Sequence, residues 1–308
     1  MIKKTAKIIA SLSLCFSLTA CSLPFLDNVS TNAGIVIAGG NTTERQILSE
    51  IQKQMIEHYM KDVDVSIINN LGSTTLIVQT FMRNICNASA GMYTGTSITG
   101  ELGLEPETDP KKAMELVKKG YKEKYNMKWY DSYGFENTYA FMMKREVAQK
   151  YGIEKLSDLK EMAPTLKAGV DTSWIRREGD GYEAFKEKYG YDFKKVYPME
   201  IGLVYDAVNN GEMDLVLGYS TDGRINSYDL VIIKDDLHVF PPYDCSPVAS
   251  YDLLKKYDGL DEIYKKMEGG IDSTQMQKMN KMSDEDLIEP AVIAADFLKE
   301  NNYFEEVK

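Results

Sequence analysis

Residues 34–59 read GIVIAGGNTTERQILSEIQKQMIEHY, and this stretch decides the fold class. Gly34 to Ala38 is a short apolar strand. Thr43-Glu44-Arg45-Gln46 fits a capping box at a helix start. Ile47, Leu48, Ile51, Met55 and Tyr59 then recur at helical spacing. The same alternation continues outward. Val63 to Ile68 is expected as a strand, Thr75 to Arg83 as a helix and Ala88 to Tyr93 as a strand. Asp109-Pro110 opens a helix with a cap and a first-position proline, and Ala113, Leu116, Val117 and Tyr121 form its buried stripe. Tyr139 to Met143, Leu166 to Val170 and Asp214 to Tyr219 are further strands, while Arg145 to Tyr151 begins a helix and Ser157-Asp158-Leu159 caps another. Helical patterns fill the C-terminal part, notably Leu253 to Met267 and Ala291 to Leu298. Strands alternating with helices predict an α/β fold with parallel sheets.

No low-complexity tract, heptad run or solenoid repeat is present, and no single Pro- or Gly-rich linker splits the chain. A second domain inserted into the first accounts for that. The chain then crosses between lobes near 135–142 and 235–244, and a cleft between lobes is a natural place for a small ligand. The length of 308 residues fits one large α/β domain or two moderate ones. With 27% charged and 44% hydrophobic residues, a wholly disordered chain is excluded. The 36 basic and 47 acidic side chains give a net charge of −11, which argues against nucleic acid as a partner. Tyrosine is in excess, 20 against 10 phenylalanines, and such an excess often lines binding surfaces.

The first residues, MIKKTAKIIASLSLCFSLTAC (1–21), read as a processing signal. Lys3, Lys4 and Lys7 form a positive region, and Ile8 to Leu18 an apolar run too short to span a bilayer comfortably. Leu18-Thr19-Ala20-Cys21 resembles a bacterial lipobox, whose Cys thiol carries diacylglycerol. The alternatives are an ordinary signal peptide with an incidental Cys and an uncleaved anchor. On the lipobox reading, residues 1–20 are the signal peptide, Cys21 is the lipid site, and residues 21–33 are a flexible tether to the membrane. Cys86 and Cys245 then remain; they are able to pair in an exported protein, but two buried free thiols are the favoured reading.

Catalytic signatures are missing. His58, at the charged end of an expected helix, and His238, in the strand-like run LHVF, are the only histidines and have no metal-ligand spacing, so no metal is expected. There is no G-x-S-x-G, H-E-x-x-H or G-x-G-x-x-G, and Gly95 and Gly100 are followed by Glu101 and Leu102 rather than the Lys and Ser/Thr of a phosphate loop. No cofactor is implied.

Four tyrosines sit among small, turn-forming neighbours near strand ends, where α/β folds place ligands. They are Tyr93 (GMYTGTS), Tyr139 (ENTYAF), Tyr219 (LGYSTDGR) and Tyr243 (PPYDCSP). For any one of them a packed core ring is the commoner role. Together they suit a quaternary ammonium, which is held by several aromatic faces at roughly 0.5–2 kcal/mol each.

At these residues the chain resembles the substrate-binding lipoproteins of Gram-positive ABC importers for osmoprotectants. The matching stretches are NLGST (70–74), YTGT (93–96), DPKKA (109–113), KWYDSYGFENTYAF (128–141), GVDTSW (169–174), GDGYEAF (179–185), YPMEIGLVYDAV (197–208), YSTDGRI (219–225) and FPPYDCSPV (240–248). The resemblance implies a type II periplasmic-binding-protein fold, with lobe I in 34–137 and 240–308 and lobe II in 138–239. It implies a ligand cage of Tyr93, Tyr139, Tyr219 and Tyr243, with Thr96 and Asn137 at the polar end. Where relatives carry Gln after the first strand, this chain has Gly40, followed by Asn41. The implied function is capture of glycine betaine, carnitine or choline and delivery to an ABC permease, by a protein that is not an enzyme. A choline-selective binder of the same class, an exported lipoprotein hydrolase and a lipid-anchored adhesin are the competing readings.

Overall fold

The computed structural model describes residues 34–177 and 180–304. The first part of the chain runs β1 (Ile35–Gly40), α1 (Thr43–Tyr59), β2 (Val65–Leu71), α2 (Thr74–Met82), β3 (Ala88–Tyr93), α3 (Thr94–Thr99), α4 (Pro110–Tyr125) and β4 (Met127–Trp129). The middle part runs β5 (Tyr139–Lys144), α5 (Arg145–Tyr151), β6 (Lys167–Asp171), α6 (Tyr182–Tyr189), β7 (Lys195–Met199), α7 (Val204–Asn209), β8 (Leu215–Tyr219), α8 (Arg224–Ser227) and β9 (Leu230–Ile232). The last part adds β10 (Cys245–Ser250), α9 (Tyr251–Lys256), α10 (Leu260–Lys266), α11 (Ser273–Asp284) and α12 (Pro290–Glu300).

Two five-stranded sheets result, in the orders β2-β1-β3-β10-β4 and β7-β6-β8-β5-β9. Each is covered on both faces. In β1, Ile35 and Ile37 join one apolar cluster while Val36 and Ala38 join another across the sheet. In β5, Phe141 and Met143 face one cluster and Ala140 and Met142 the other. Because side chains alternate along a strand, burial on both faces requires the unbroken apolar runs seen in β1, β5 and β8. The chain passes from the first sheet to the second between β4 and β5 and returns between β9 and β10. An isolated bridge between Glu136 and Asp244 ties the two crossing segments together.

The sheets are mixed, not parallel throughout. β10 runs antiparallel to both β3 and β4, and β5 antiparallel to β8 and β9. Both are the first strands laid down after a crossing, so no βαβ crossover constrains their direction. β10 carries Pro247, which hides it from a strand pattern; its register shifts between Ser246 and Val248, where the missing N–H is tolerated. Three local expectations also change. The cap of α1 is Thr42, whose hydroxyl accepts from the Arg45 N–H, one residue before the expected position. The helix expected over Leu253–Met267 is two helices, because Gly259 adopts a φ of 85° between them. The strand-like run around His238 is a turn, with His238 itself at a φ of 55°. Cys86 and Cys245 are buried and unpaired. Among the described residues no helix is long and apolar enough to cross a membrane; Cys21 and the rest of residues 1–33 lie outside the described residues.

Candidate ligand site between the sheets

A cavity of about 480 Å³ opens where the carboxyl ends of β1, β3 and β8 approach the crossing segments. Its wall contains all six residues singled out in the sequence: Tyr93, Thr96, Asn137, Tyr139, Tyr219 and Tyr243. Tyr93 ends β3, and Thr96 follows in α3. Tyr139 and Tyr219 are opposite residues of the antiparallel β5·β8 pair, which sets their ring centroids 5.2 Å apart. Tyr243 lies on the returning segment. Gly95 seats it: a Cβ on Gly95 would come within 2.9 Å of the Tyr243 ring and 2.8 Å of the Pro242 carbonyl. The Thr94 hydroxyl donates to that same Pro242 carbonyl at 2.9 Å, and the Asn137 N–H donates to the Tyr243 carbonyl at 3.1 Å.

Two of the rings are held by buried carboxylates that the sequence reading did not single out. Tyr93 donates to Glu44 Oε1 at 2.5 Å, and the Asn137 side-chain amide donates to the same oxygen at 3.0 Å. Glu44 stands in the first turn of α1, where the helix dipole favours a negative charge. Tyr139 donates to Asp171 Oδ2 at 2.8 Å, at the end of β6, and the Trp174 N–H donates to that oxygen at 3.2 Å. The backbone of Tyr219 is gripped by Tyr205, whose hydroxyl accepts from its N–H at 2.7 Å. Burial raises all four phenols above the ordinary tyrosine range, Glu44 adding to the effect at Tyr93. The rings therefore stay neutral at physiological pH. Tyr219 is the exposed member at 38%, against 8% for Tyr93 and Tyr139.

Charged groups complete the wall. Arg177 donates to the Tyr243 hydroxyl at 3.0 Å, lies 5.8 Å from the Tyr139 ring centroid, and is clamped by Asp180 through bonds of 2.8 and 2.7 Å. It falls between the stretches GVDTSW and GDGYEAF, whose match flanks it without including it. Glu101 accepts from Thr75 at 2.7 Å, and burial raises its carboxyl above the usual range. Arg45 reaches the cavity from α1, and Asn41 lines it beside β1. A Cβ on Gly40 would meet Arg45 Cδ at 2.2 Å, so a larger side chain at that position has no room while Arg45 keeps its place. Among the described residues no cluster of three or more potential metal ligands occurs.

Residues 33–300 match the family described as the substrate binding domain of ABC-type glycine betaine transport systems. The carnitine transport binding protein OpuCC of Listeria monocytogenes is 47% identical over 288 residues, 94% of this chain and 93% of that one. The glycine-betaine-binding protein of Pseudomonas aeruginosa is 28% identical over 305 residues, covering 96% and 95% of the two chains. A crystal structure described as a glycine betaine/carnitine/choline ABC transporter superposes with a TM-score of 0.86 at 45% identity, over 88% of this chain and all of that one.

Proposed function

The chain belongs to the family of substrate-binding domains of ABC-type glycine betaine transport systems, and we propose that its cleft boxes a trimethylammonium group between Tyr93, Tyr139, Tyr219 and Tyr243. It is an extracytoplasmic binding component of an ABC importer and not an enzyme, and it hands a small ligand to permease subunits. The proposed ligands are carnitine, glycine betaine and choline. The observation that carries the reading is the convergence of four neutral tyrosine rings, two from each side of the cavity, on one space of about 480 Å³.

A quaternary ammonium has no N–H to donate and is poorly matched by ordinary acceptors. Several ring faces recognise it instead, at roughly 0.5–2 kcal/mol each. Thr96 and Asn137 supply the polar end. Lobe I (34–137 with 240–308) and lobe II (138–239) close on the ligand about the two crossing segments, covering Tyr219 and removing water from the head group. Cys21 carries the lipid that holds the protein at the membrane.

Calorimetric titration with glycine betaine, carnitine and choline tests the reading. Wild type binds at least one of them, and Tyr219→Ala weakens that ligand about five- to thirtyfold. Unchanged affinity of Tyr219→Ala for all three sinks the cage.

A further inference from the structure

Arg45 is buried at 8% exposure, yet among the described residues no hydrogen bond or ion pair engages its guanidinium. Its guanidinium carbon lies 5.0 Å from the centroid of the Tyr93 ring. The stem runs through a slot made by two glycines. A Cβ on Gly40 would meet Arg45 Cδ at 2.2 Å, and one on Gly91 would meet Arg45 Cγ at 2.9 Å. β1 and β3 thus both omit a side chain where the arginine passes, and its head emerges in the wall of the cavity. Its setting is unfavourable for a cation. The first turn of a helix repels positive charge, and a buried charge without a partner is costly. Neighbouring Glu44 forms no ion pair with it: Oε1 accepts from Tyr93 and Asn137, and Oε2 has no partner among the described residues.

From this geometry we propose that Arg45 binds the carboxylate of a ligand whose ammonium sits in the tyrosine cage, and so selects carboxylated betaines over choline. The proposal rests on the cage reading above and adds a discriminating residue to it. A guanidinium in the same wall as the cage repels the ammonium of any ligand. A carboxylate placed between the two converts that repulsion into a charge-assisted pair, with a fork geometry that Arg offers and Lys does not. Choline carries a hydroxyl there, so for choline the repulsion stands uncompensated. Removing the charge therefore shifts the two ligand classes in opposite directions.

The test is titration of wild type, Arg45→Gln and Arg45→Lys with glycine betaine, carnitine and choline, with melting curves for each protein. Arg45→Gln is expected to lose about tenfold or more in affinity for the two carboxylated ligands while keeping or gaining affinity for choline. Arg45→Lys keeps the charge without the fork, retains a reduced preference for carboxylates, and carries the test alone if Arg45→Gln does not fold. An equal change for all three ligands overturns the proposal. So does loss of carboxylate preference in Asn41→Ala with none in the Arg45 variants. Wild type binding none of the three removes the cage reading itself, a result distinct from an unchanged ligand ratio.

Discussion

Replacing Tyr93 by Phe separates the two tasks that this ring performs. The aromatic ring survives, while the hydroxyl that donates to Glu44 Oε1 at 2.5 Å is lost. Glu44 is 3% exposed, and its other oxygen has no partner among the described residues. After the substitution the carboxylate keeps only the Asn137 amide at 3.0 Å. A hydrogen bond to a charged group contributes about 1.5–3 kcal/mol, and a buried acceptor left short of partners sits at the upper end. The expected loss is therefore about 2–3 kcal/mol of stability. At roughly 2–4 °C per kcal/mol for a domain of 150–250 residues, the Tm falls by roughly 4–12 °C. Glycine betaine affinity, measured well below the new Tm, stays within about threefold because the ring face remains. Scanning calorimetry and titration of the same preparation read both quantities. An unchanged Tm would show that the Tyr93–Glu44 bond contributes nothing. An unchanged Tm with affinity lost by more than about tenfold would mean that the hydroxyl contacts ligand, and the account of Glu44 as its anchor would be wrong.

Two further predictions concern the polar end and the membrane. Thr96→Asp places a carboxylate in the cavity wall; it repels a ligand carboxylate at a cost of several kcal/mol, so glycine betaine and carnitine are lost while choline is retained or gained. Competition binding decides it, and a mutant still preferring glycine betaine would remove Thr96 from the polar end. Cys21→Ala abolishes incorporation of a palmitate analogue in cells and leaves an unprocessed precursor of higher mass; continued labelling would refute the lipobox.

The fold class was readable from residues 34–59 because a strand followed at once by a capped helix is written in local pattern, and local pattern survives without tertiary context. The directions of β5 and β10 were not readable. They depend on where the chain re-enters a sheet after a crossing, and β10 is further masked by Pro247. The break at Gly259 was also misread, since a glycine inside an apolar helical pattern is compatible with either outcome until packing selects a positive φ.

At the site, the sequence by itself singled out the four tyrosines, Thr96 and Asn137, which line one cavity, because rings beside turn residues at strand ends stand out from helical stripes and the resemblance pointed to them. Only the tertiary structure decided what holds and charges them. Glu44 and Asp171 are two among 47 acidic residues, and nothing local distinguishes a carboxylate buried under a phenol from one in solvent. Arg45 looked like one more polar position in a helix start. Its burial in a slot between Gly40 and Gly91, on two strands 51 positions apart in sequence, exists only once β1 and β3 lie side by side. A side chain's type is a property of its position in the chain, but the groups left without a partner around it are a property of the packed interior.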